Sequence, residues 1–413
     1  LRQENKAYIS SWEAQESELV NKVLISPAHY VLDDEFIGSE PMWVSSMLKG
    51  IANSGRYKLY VVTGTVVSLD INYGRCKIFE LRDKPDIDPT LARRLTITFR
   101  KTAKSKLLGL KHEFSVVHHI FPFWIGVTFD MDFILRSKKS AYVIGPIQSP
   151  HSETIEAHSR VDSFFYSSLG SITRYLSMLT LRRADKVIAL TSHAKGLLVA
   201  EGLDEGKIQV ITPGINTDKF RYVPFDEKPE DRIVLVAVGY LSKRKGMEFV
   251  VKAFADVLKR HDKALLRIIG NGSELGSIKE LARSLGLEDH IEFLGYVPHS
   301  EIQAHYRDAH VFVSMSRAES WGQVYLEAMA SGMPVVTSEN VGSREIVRDG
   351  VFGYLIDQED TEMLAETLNH LLDNRQLIAE FGRKAREEAE SRYDWEKVIV
   401  PKYLELYDSL SGR

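Results

Sequence analysis

The 413-residue sequence holds a single cysteine, Cys76. One thiol cannot close an internal disulfide and falls far short of a zinc-ligand set, so the chain suits a reducing, cytoplasmic setting. Long apolar runs are also missing. The most membrane-like stretch, residues 116–135, is broken by His118, His119, Pro122, Asp130 and Asp132, whereas a spanning helix needs about 20 mostly apolar residues. A transmembrane span is therefore rejected. Residues 1–21 carry Arg2, Glu4, Lys6, Glu13, Glu16 and Glu18 with no apolar stretch, so no targeting segment is expected there. The first residue is Leu1 rather than Met, as in a fragment or a processed form. Nor does either charge dominate: 53 Lys and Arg against 57 Asp and Glu give a net charge of -4. Global attraction to a polyanion is not favoured, and nucleic acid is not an expected partner.

What is present is the composition of a soluble globular protein, 44% hydrophobic and 27% charged. The length exceeds what one core supports, so two domains are expected. Short β-branched runs alternate with amphipathic segments, the pattern of parallel sheets wrapped by helices, and the fold class is α/β. Strands are predicted at 22–26, 57–62, 114–118, 141–144, 186–190 and 208–211, then at 232–238, 265–269, 291–294, 311–315, 334–337 and 353–356. The alternation breaks at Thr212-Pro213-Gly214-Ile215-Asn216, the predicted hinge. Two doubly wound domains, 22–212 and 213–385 after an extension 1–21, would face each other across a cleft, and ligands in such folds bind beyond the strand ends. Gly270-Asn271-Gly272 is a weak dinucleotide signal, because the third glycine is replaced by Leu275.

The richest stretch runs from Arg317 to Val336. It turns after a strand and opens a helix at about Trp321 that Gly332 and Pro334 end. The free amides of such a helix start suit a phosphate, and Gly322 permits close approach. Glu319 precedes the helix and Glu327 lies eight positions on, so both carboxylates can face one cleft and accept from sugar and ribose hydroxyls. The plainer reading of Glu327 is one polar residue on an amphipathic helix. A second group, Gly239-Tyr240-Leu241-Ser242-Lys243-Arg244-Lys245-Gly246, follows the strand at 232–238. Arg244 and Lys245 there suit a diphosphate, whereas Lys243 reads as solvated surface.

These two groups, with Ile268 to Glu274, Phe293 to Pro298 and Gly342 to Val347, resemble the family 4 retaining glycosyltransferases of GT-B fold. The resemblance runs through residues 22–410 and is strongest over 208–357. It implies an acceptor-binding first domain, a nucleotide-sugar-binding second domain, and a final helix within 386–413 that crosses back to the first, with Trp395 as a packing anchor. It further implies that Arg244 and Lys245 bind the diphosphate and that the backbone near Val297 meets the base. Glu327 would take the ribose, and Glu319 with the amides of Trp321, Gly322 and Gln323 would hold the sugar and its phosphate. Gly38-Ser39-Glu40 resembles the family's glycine loop. One departure is Tyr240, where the family often has Arg. The family also places a histidine after a first-domain strand. His118 and His119 are both candidates, and since they face opposite sides of a strand only one can serve; His119 is preferred and His118 read as a core histidine, with the choice open. The implied chemistry is a retaining transfer in which the leaving phosphate accepts the acceptor's proton, with no cofactor and no metal.

Asp130-Met131-Asp132 has the pattern of metal-dependent glycosyltransferases, but those have one such domain and lack the Glu319 and Glu327 arrangement. Residues 93–111 carry Arg93, Arg94, Arg100, Lys101, Lys104, Lys106 and Lys111 with no acidic residue. With the interleaved leucines this is either a solvated helix face or a docking surface for an anionic membrane, as a lipid-linked acceptor would want. The expected activity is hexosyl transfer from a UDP- or GDP-linked sugar to a glycan or lipid-linked acceptor. A nucleotide-sugar 2-epimerase and a non-catalytic sugar-nucleotide-binding subunit are the alternatives.

Overall fold

The computed structural model describes residues 21–25, 31–33, 39–69, 71, 74–81, 103–105, 107–108, 113–120, 140–148, 170–228 and 232–411. The chain forms two compact units, Leu1–Thr212 with Ile399–Arg413, and Pro213–Val398. The return to the first unit thus begins at Ile399. Residues 386–398, which the sequence reading gave to the returning segment, stay with the second unit, because Ile215 pairs with Asp394 and the Ile215 amide donates to the Tyr393 carbonyl at 2.7 Å.

In the first unit the strands are β1 (Lys22–Ile25), β2 (Val31–Asp33), β3 (Lys58–Thr63), β4 (Thr65–Ser68), β5 (Cys76–Glu80), β6 (Val116–His119), β7 (Ala141–Ile147), β8 (Lys186–Ala189) and β9 (Ile208–Val210). Seven form one parallel sheet in the order β5-β3-β1-β6-β7-β8-β9, and β2 pairs with β4. The helices α1 (Ser39–Asn53), α2 (Gly170–Arg183) and α3 (Ser192–Ala200) belong to the same unit. β2, β4 and β5 were not expected: two are very short, and β5, CKIFE, lies at the sheet edge with only Cys76 fully buried.

The second unit contains β10 (Val234–Val238), β11 (Leu265–Ile269), β12 (Ile291–Gly295), β13 (Val311–Ser314), β14 (Val335–Ser338) and β15 (Gly353–Ile356), in the order β12-β11-β10-β13-β14-β15. Its helices are α4 (Met247–Leu258), α5 (Leu275–Ser284), α6 (His299–Arg307), α7 (Gln323–Ala330), α8 (Val341–Ile346), α9 (Thr361–Asp373) and α10 (Arg375–Glu388). A parallel sheet covered on both faces demands continuous apolar strands, and β10, VLVAV, and β13, VFVS, supply them. Arg267 in β11 is the exception. It is buried, and donates to Glu292 at 2.8 Å and Asp308 at 2.7 Å, so its charge is compensated within the fold. α4 buries Met247, Val250, Val251, Phe254 and Val257, one face at helical spacing.

The final helix, α11 (Val400–Ser411), completes the core of the first unit. Tyr403, Leu406, Tyr407 and Leu410 are buried, and the Tyr57 and Tyr407 rings meet edge to face at 5.6 Å. Tyr407 also donates its hydroxyl to His118 Nδ1 at 2.6 Å. Tyr407→Phe would leave that buried ring nitrogen unpaired, and urea unfolding is expected to register a loss of about 1–3 kcal/mol in the first unit's transition. An unchanged midpoint would show that the hydroxyl contributes nothing.

Candidate active site

In a doubly wound sheet a ligand crevice lies beyond the carboxyl ends of the two neighbouring strands at which the strand order reverses. In the second unit these are β10 and β13. The loops that leave them, 239–246 and 315–322, are the two stretches marked by the sequence.

The loops are built against each other. Gly246 sits at φ 59°, and a Cβ there would stand 2.1 Å from the Met315 carbonyl oxygen, so only glycine allows the contact. The Arg317 amide then donates to the Arg244 carbonyl at 2.8 Å. Arg317 adds a clamp: its guanidinium bonds the Lys243 carbonyl, donates to Glu359 at 2.6 Å and Glu248 at 3.1 Å, and lies 5.0 Å over the Phe249 ring. Sequence reasoning missed this residue because its partners are scattered along the chain and no local pattern announces them.

Arg244, Lys245 and Glu319 are brought together. Lys245 Nζ pairs directly with Glu319 Oε1, and Arg244 stands 3.6 Å from the same oxygen. Arg244 also donates to the Ala318 carbonyl at 2.5 Å, and Ser316 Oγ donates to Glu319 at 3.1 Å. Burial would raise the Glu319 pKa, but Lys245 and Arg244 outweigh it and hold the carboxyl below its ordinary value. Two cations against one carboxylate leave net positive charge at the loop junction. Lys243 is exposed, as read.

The helix expected at about Trp321 starts two residues later, at Gln323, because Gly322 takes a left-handed conformation, φ 87°. No side chain caps α7; the Tyr325 amide turns back to the Gly322 carbonyl at 2.9 Å, and the amides of Gln323 and Val324 before it are available to a ligand. Beside them Trp321 Nε1 and Gln323 Oε1 are buried without a hydrogen-bond partner among the described residues. Gln323 Nε2 donates to the Gly214 carbonyl at 2.9 Å, and the Gly342 amide donates to the Glu319 carbonyl at 2.8 Å.

Glu327 has partners that the sequence did not announce. It is 3% exposed and accepts from His299 Nε2 at 3.1 Å and from the Tyr306 hydroxyl at 3.0 Å, both in α6. Lys219 Nζ donates to His299 Nδ1 at 2.9 Å, which leaves the proton on Nε2. Glu319 lies in the loop ahead of α7, so helical phase alone does not relate the two carboxylates. A carboxylate has about four acceptor positions, so two remain for a further donor. Val297, 8% exposed, lies just beyond β12 and ahead of Pro298, which caps α6.

In the first unit the strand order reverses between β1 and β6, and both histidines close β6. His118 is fully buried, donates from Nε2 to the Gly145 carbonyl at 3.0 Å and accepts at Nδ1 from Tyr407. Burial pulls its pKa down to about 3, so it is a neutral core residue. His119, 2% exposed at the last position of β6, is the remaining candidate. Gly38, Asp130 and Asp132 lie outside the described residues; α1 begins right after Gly38. Of the basic run only 103–105 and 107–108 are described. They are helical, with Ser105 and Leu108 buried, Leu107 56% exposed and Lys104 Nζ 5.3 Å from the Phe79 ring. Trp395 is 6% exposed, a packing residue. Among the described residues no group of three His, Cys, Asp or Glu could hold a metal ion, and no helix is long and apolar enough to cross a membrane.

Sequence profiles define the class. That of the glycosyl transferases group 1 matches residues 218–388, and that of glycosyltransferase family 4 matches 65–219. The chain belongs to this glycosyltransferase family. A GDP-mannose-dependent alpha-(1-6)-phosphatidylinositol monomannoside mannosyltransferase of Mycobacterium tuberculosis is 28% identical over 242 residues, 55% of this chain and 62% of the relative, so the chain spans under two thirds of that protein's length. Sucrose-phosphate synthase from Thermosynechococcus elongatus superposes with a TM-score of 0.73 at 21% identity, covering 95% of this chain and 99% of its own. Anabaena HepE, solved with UDP and glucose, gives 0.65 at 19% identity over 94% and 100%. These structural likenesses establish the GT-B fold.

Glu319 makes the loop junction pH-sensitive. A carboxyl whose folded pKa lies below its ordinary 4.5 contributes stability above that pH and loses it as pH falls through the folded value. Urea unfolding of wild type and Glu319→Gln is expected to show the full difference at pH 6 and a shrinking one toward pH 3. A difference that stays constant with pH would contradict the ion-pair assignment.

Proposed function

We propose that the chain is a retaining glycosyltransferase that moves a hexosyl unit from a nucleotide diphosphate sugar, UDP- or GDP-linked, to a glycan or lipid-linked acceptor. The observation that carries this reading is the junction of Arg244, Lys245 and Glu319 beside the uncapped start of α7. A donor diphosphate there meets two cations and a helix N-terminus, the arrangement that stabilises charge growing on a leaving group. Glu319 receives a hydroxyl of the transferred sugar, Glu327 the ribose through its remaining acceptor positions, and the backbone at Val297 the base. The acceptor oxygen bonds to the anomeric carbon from the face on which the carbon–phosphate oxygen bond breaks. The leaving phosphate takes the acceptor's proton, so configuration is kept and neither a protein base nor a metal ion is needed. In the first unit His119 is the catalytic candidate.

The mannosyltransferase relative is named for GDP-mannose and HepE was solved with UDP and glucose, and these set the range of donors to screen. Association with the cytoplasmic face of an anionic membrane through residues 93–111 is part of the proposal. Exposed Leu107 and the neighbouring Lys104 favour it, and indifference of liposome flotation to lipid charge would remove it.

Replacing Arg244 or Lys245 by Ala is expected to lower kcat by about 10²- to 10³-fold, the usual loss for one charge-stabilising donor. Transfer measured with and without EDTA is expected to be the same. Full activity in both variants, or rescue of a chelated enzyme by manganese, would overturn the mechanism.

A further inference from the structure

At the far end of α7 from the cationic junction, the second unit carries an open cleft of about 550 Å³ lined by Thr217, Asp218, Arg221, Tyr222, Arg386 and Glu390. Its size is that of a small-molecule site. α7 separates the two places. Its first residue, Gln323, adjoins the junction, whereas the carbonyl of its last, Ala330, accepts from Arg386 at 2.6 Å, roughly 12 Å further along the helix.

The cleft is built on a fixed turn. Asn216 Oδ1 accepts from the Asp218 amide at 3.0 Å and from the Lys219 amide at 2.9 Å, which winds the chain back on itself. Arg386 Nη1 pins that turn, donating to the carbonyls of Thr217 at 3.0 Å and Phe220 at 2.6 Å as well as to Ala330. Thr217 donates its hydroxyl to Asp394, and Glu390 pairs with Arg386 at 2.7 Å. Tyr222 forms a wall. Its ring is seated on Gly332, which has φ 78°, and a Cβ there would stand 2.1 Å from Tyr222 Cδ2. At the rim the donors and acceptors are open. Asp218 and Arg221 are exposed and share the cleft, yet neither side chain has a hydrogen-bond or ion-pair partner among the described residues, and the Tyr222 hydroxyl has no hydrogen bond there either.

We propose that this cleft binds a neutral sugar unit, a hexose of a glycan, at a place separate from the transfer site. Arg221 and Arg386 are balanced there by Asp218 and Glu390, so net charge favours neither an anion nor a cation. A sugar hydroxyl both donates and accepts. Arg221 only donates and an ionised Asp218 only accepts, so the two together match a pair of neighbouring hydroxyls. Tyr222 gives the C–H face of the sugar ring an apolar surface, with a polar hydroxyl at its tip. The cleft goes beyond the donor site and does not depend on that reading.

Calorimetric titration of the full chain with methyl α-mannoside and methyl α-glucoside tests this. Wild type is expected to bind at least one of them at millimolar concentration, and inorganic phosphate should not displace it. Arg221→Ala and Asp218→Asn should each weaken that binding by about tenfold or more, the loss of a hydrogen bond to a charged group. Their melting curves and their affinity for UDP and GDP should match wild type, because both side chains are exposed and lie outside the donor site. Arg244→Ala should leave glycoside binding unchanged. Wild-type glycoside affinity in either rim variant, displacement by phosphate, or no glycoside binding by wild type would overturn the assignment. Loss of glycoside binding in Arg244→Ala would move the sugar to the junction and overturn it as well. None of these results bears against the donor-site reading, which fails instead if UDP and GDP both go unbound.

Discussion

The seating of Gly246 against the Met315 carbonyl fixes how the loops after β10 and β13 meet. No side chain can occupy that gap, and the loops can close only where the backbone itself forms the contact. Once they do, the Arg317 amide reaches the Arg244 carbonyl, and two cations arrive beside a carboxylate from the other loop. The charged cluster is therefore a product of backbone geometry, and Arg317 secures it by tying Lys243, Glu248 and Glu359 to one guanidinium.

Glu319 also serves as an internal counter-ion. Alone, Arg244 and Lys245 would repel each other across a short turn. With Glu319 between them their charges are held in place before any ligand arrives, and preorganised charge of this kind needs no rearrangement during reaction. Glu327 works at the opposite extreme. Its carboxylate is tied by His299 and Tyr306 into the interior, and the Lys219 contact fixes the tautomer of the histidine. One carboxylate is held between two cations while the other is held by a ring nitrogen and a hydroxyl, a division of labour that a count of residues between them does not reveal.

The parallel strands of the second unit were legible because a strand buried on both faces must be apolar throughout, and β10, β11 and β13 to β15 lie within two residues of their predicted bounds. β2 and β4 were not, since three or four residues carry no period. At the site, Gly246 and Gly322 could be read from the loop pattern, as could Arg244, Lys245 and Glu319. The partners of Glu327 could not: His299 and Tyr306 are near in space only because α6 packs beside α7, and nothing local records that. The alternation of a strand could say that His118 and His119 face opposite sides but not which of them is the core residue, because the partner that marks His118, Tyr407, lies 289 residues away.

The return of the chain at Ile399 means that the first unit is finished by residues made after the whole of the second. The second unit is in effect an insertion, complete within Pro213–Val398 before Tyr403 and Tyr407 have left the ribosome. At synthesis rates of about 5–20 residues per second, the first sheet waits for roughly 10 to 40 seconds with its α11-facing surface uncovered. That interval is the synthesis of the second unit itself, so the sheet made first keeps an open face until the whole of the other unit has been made.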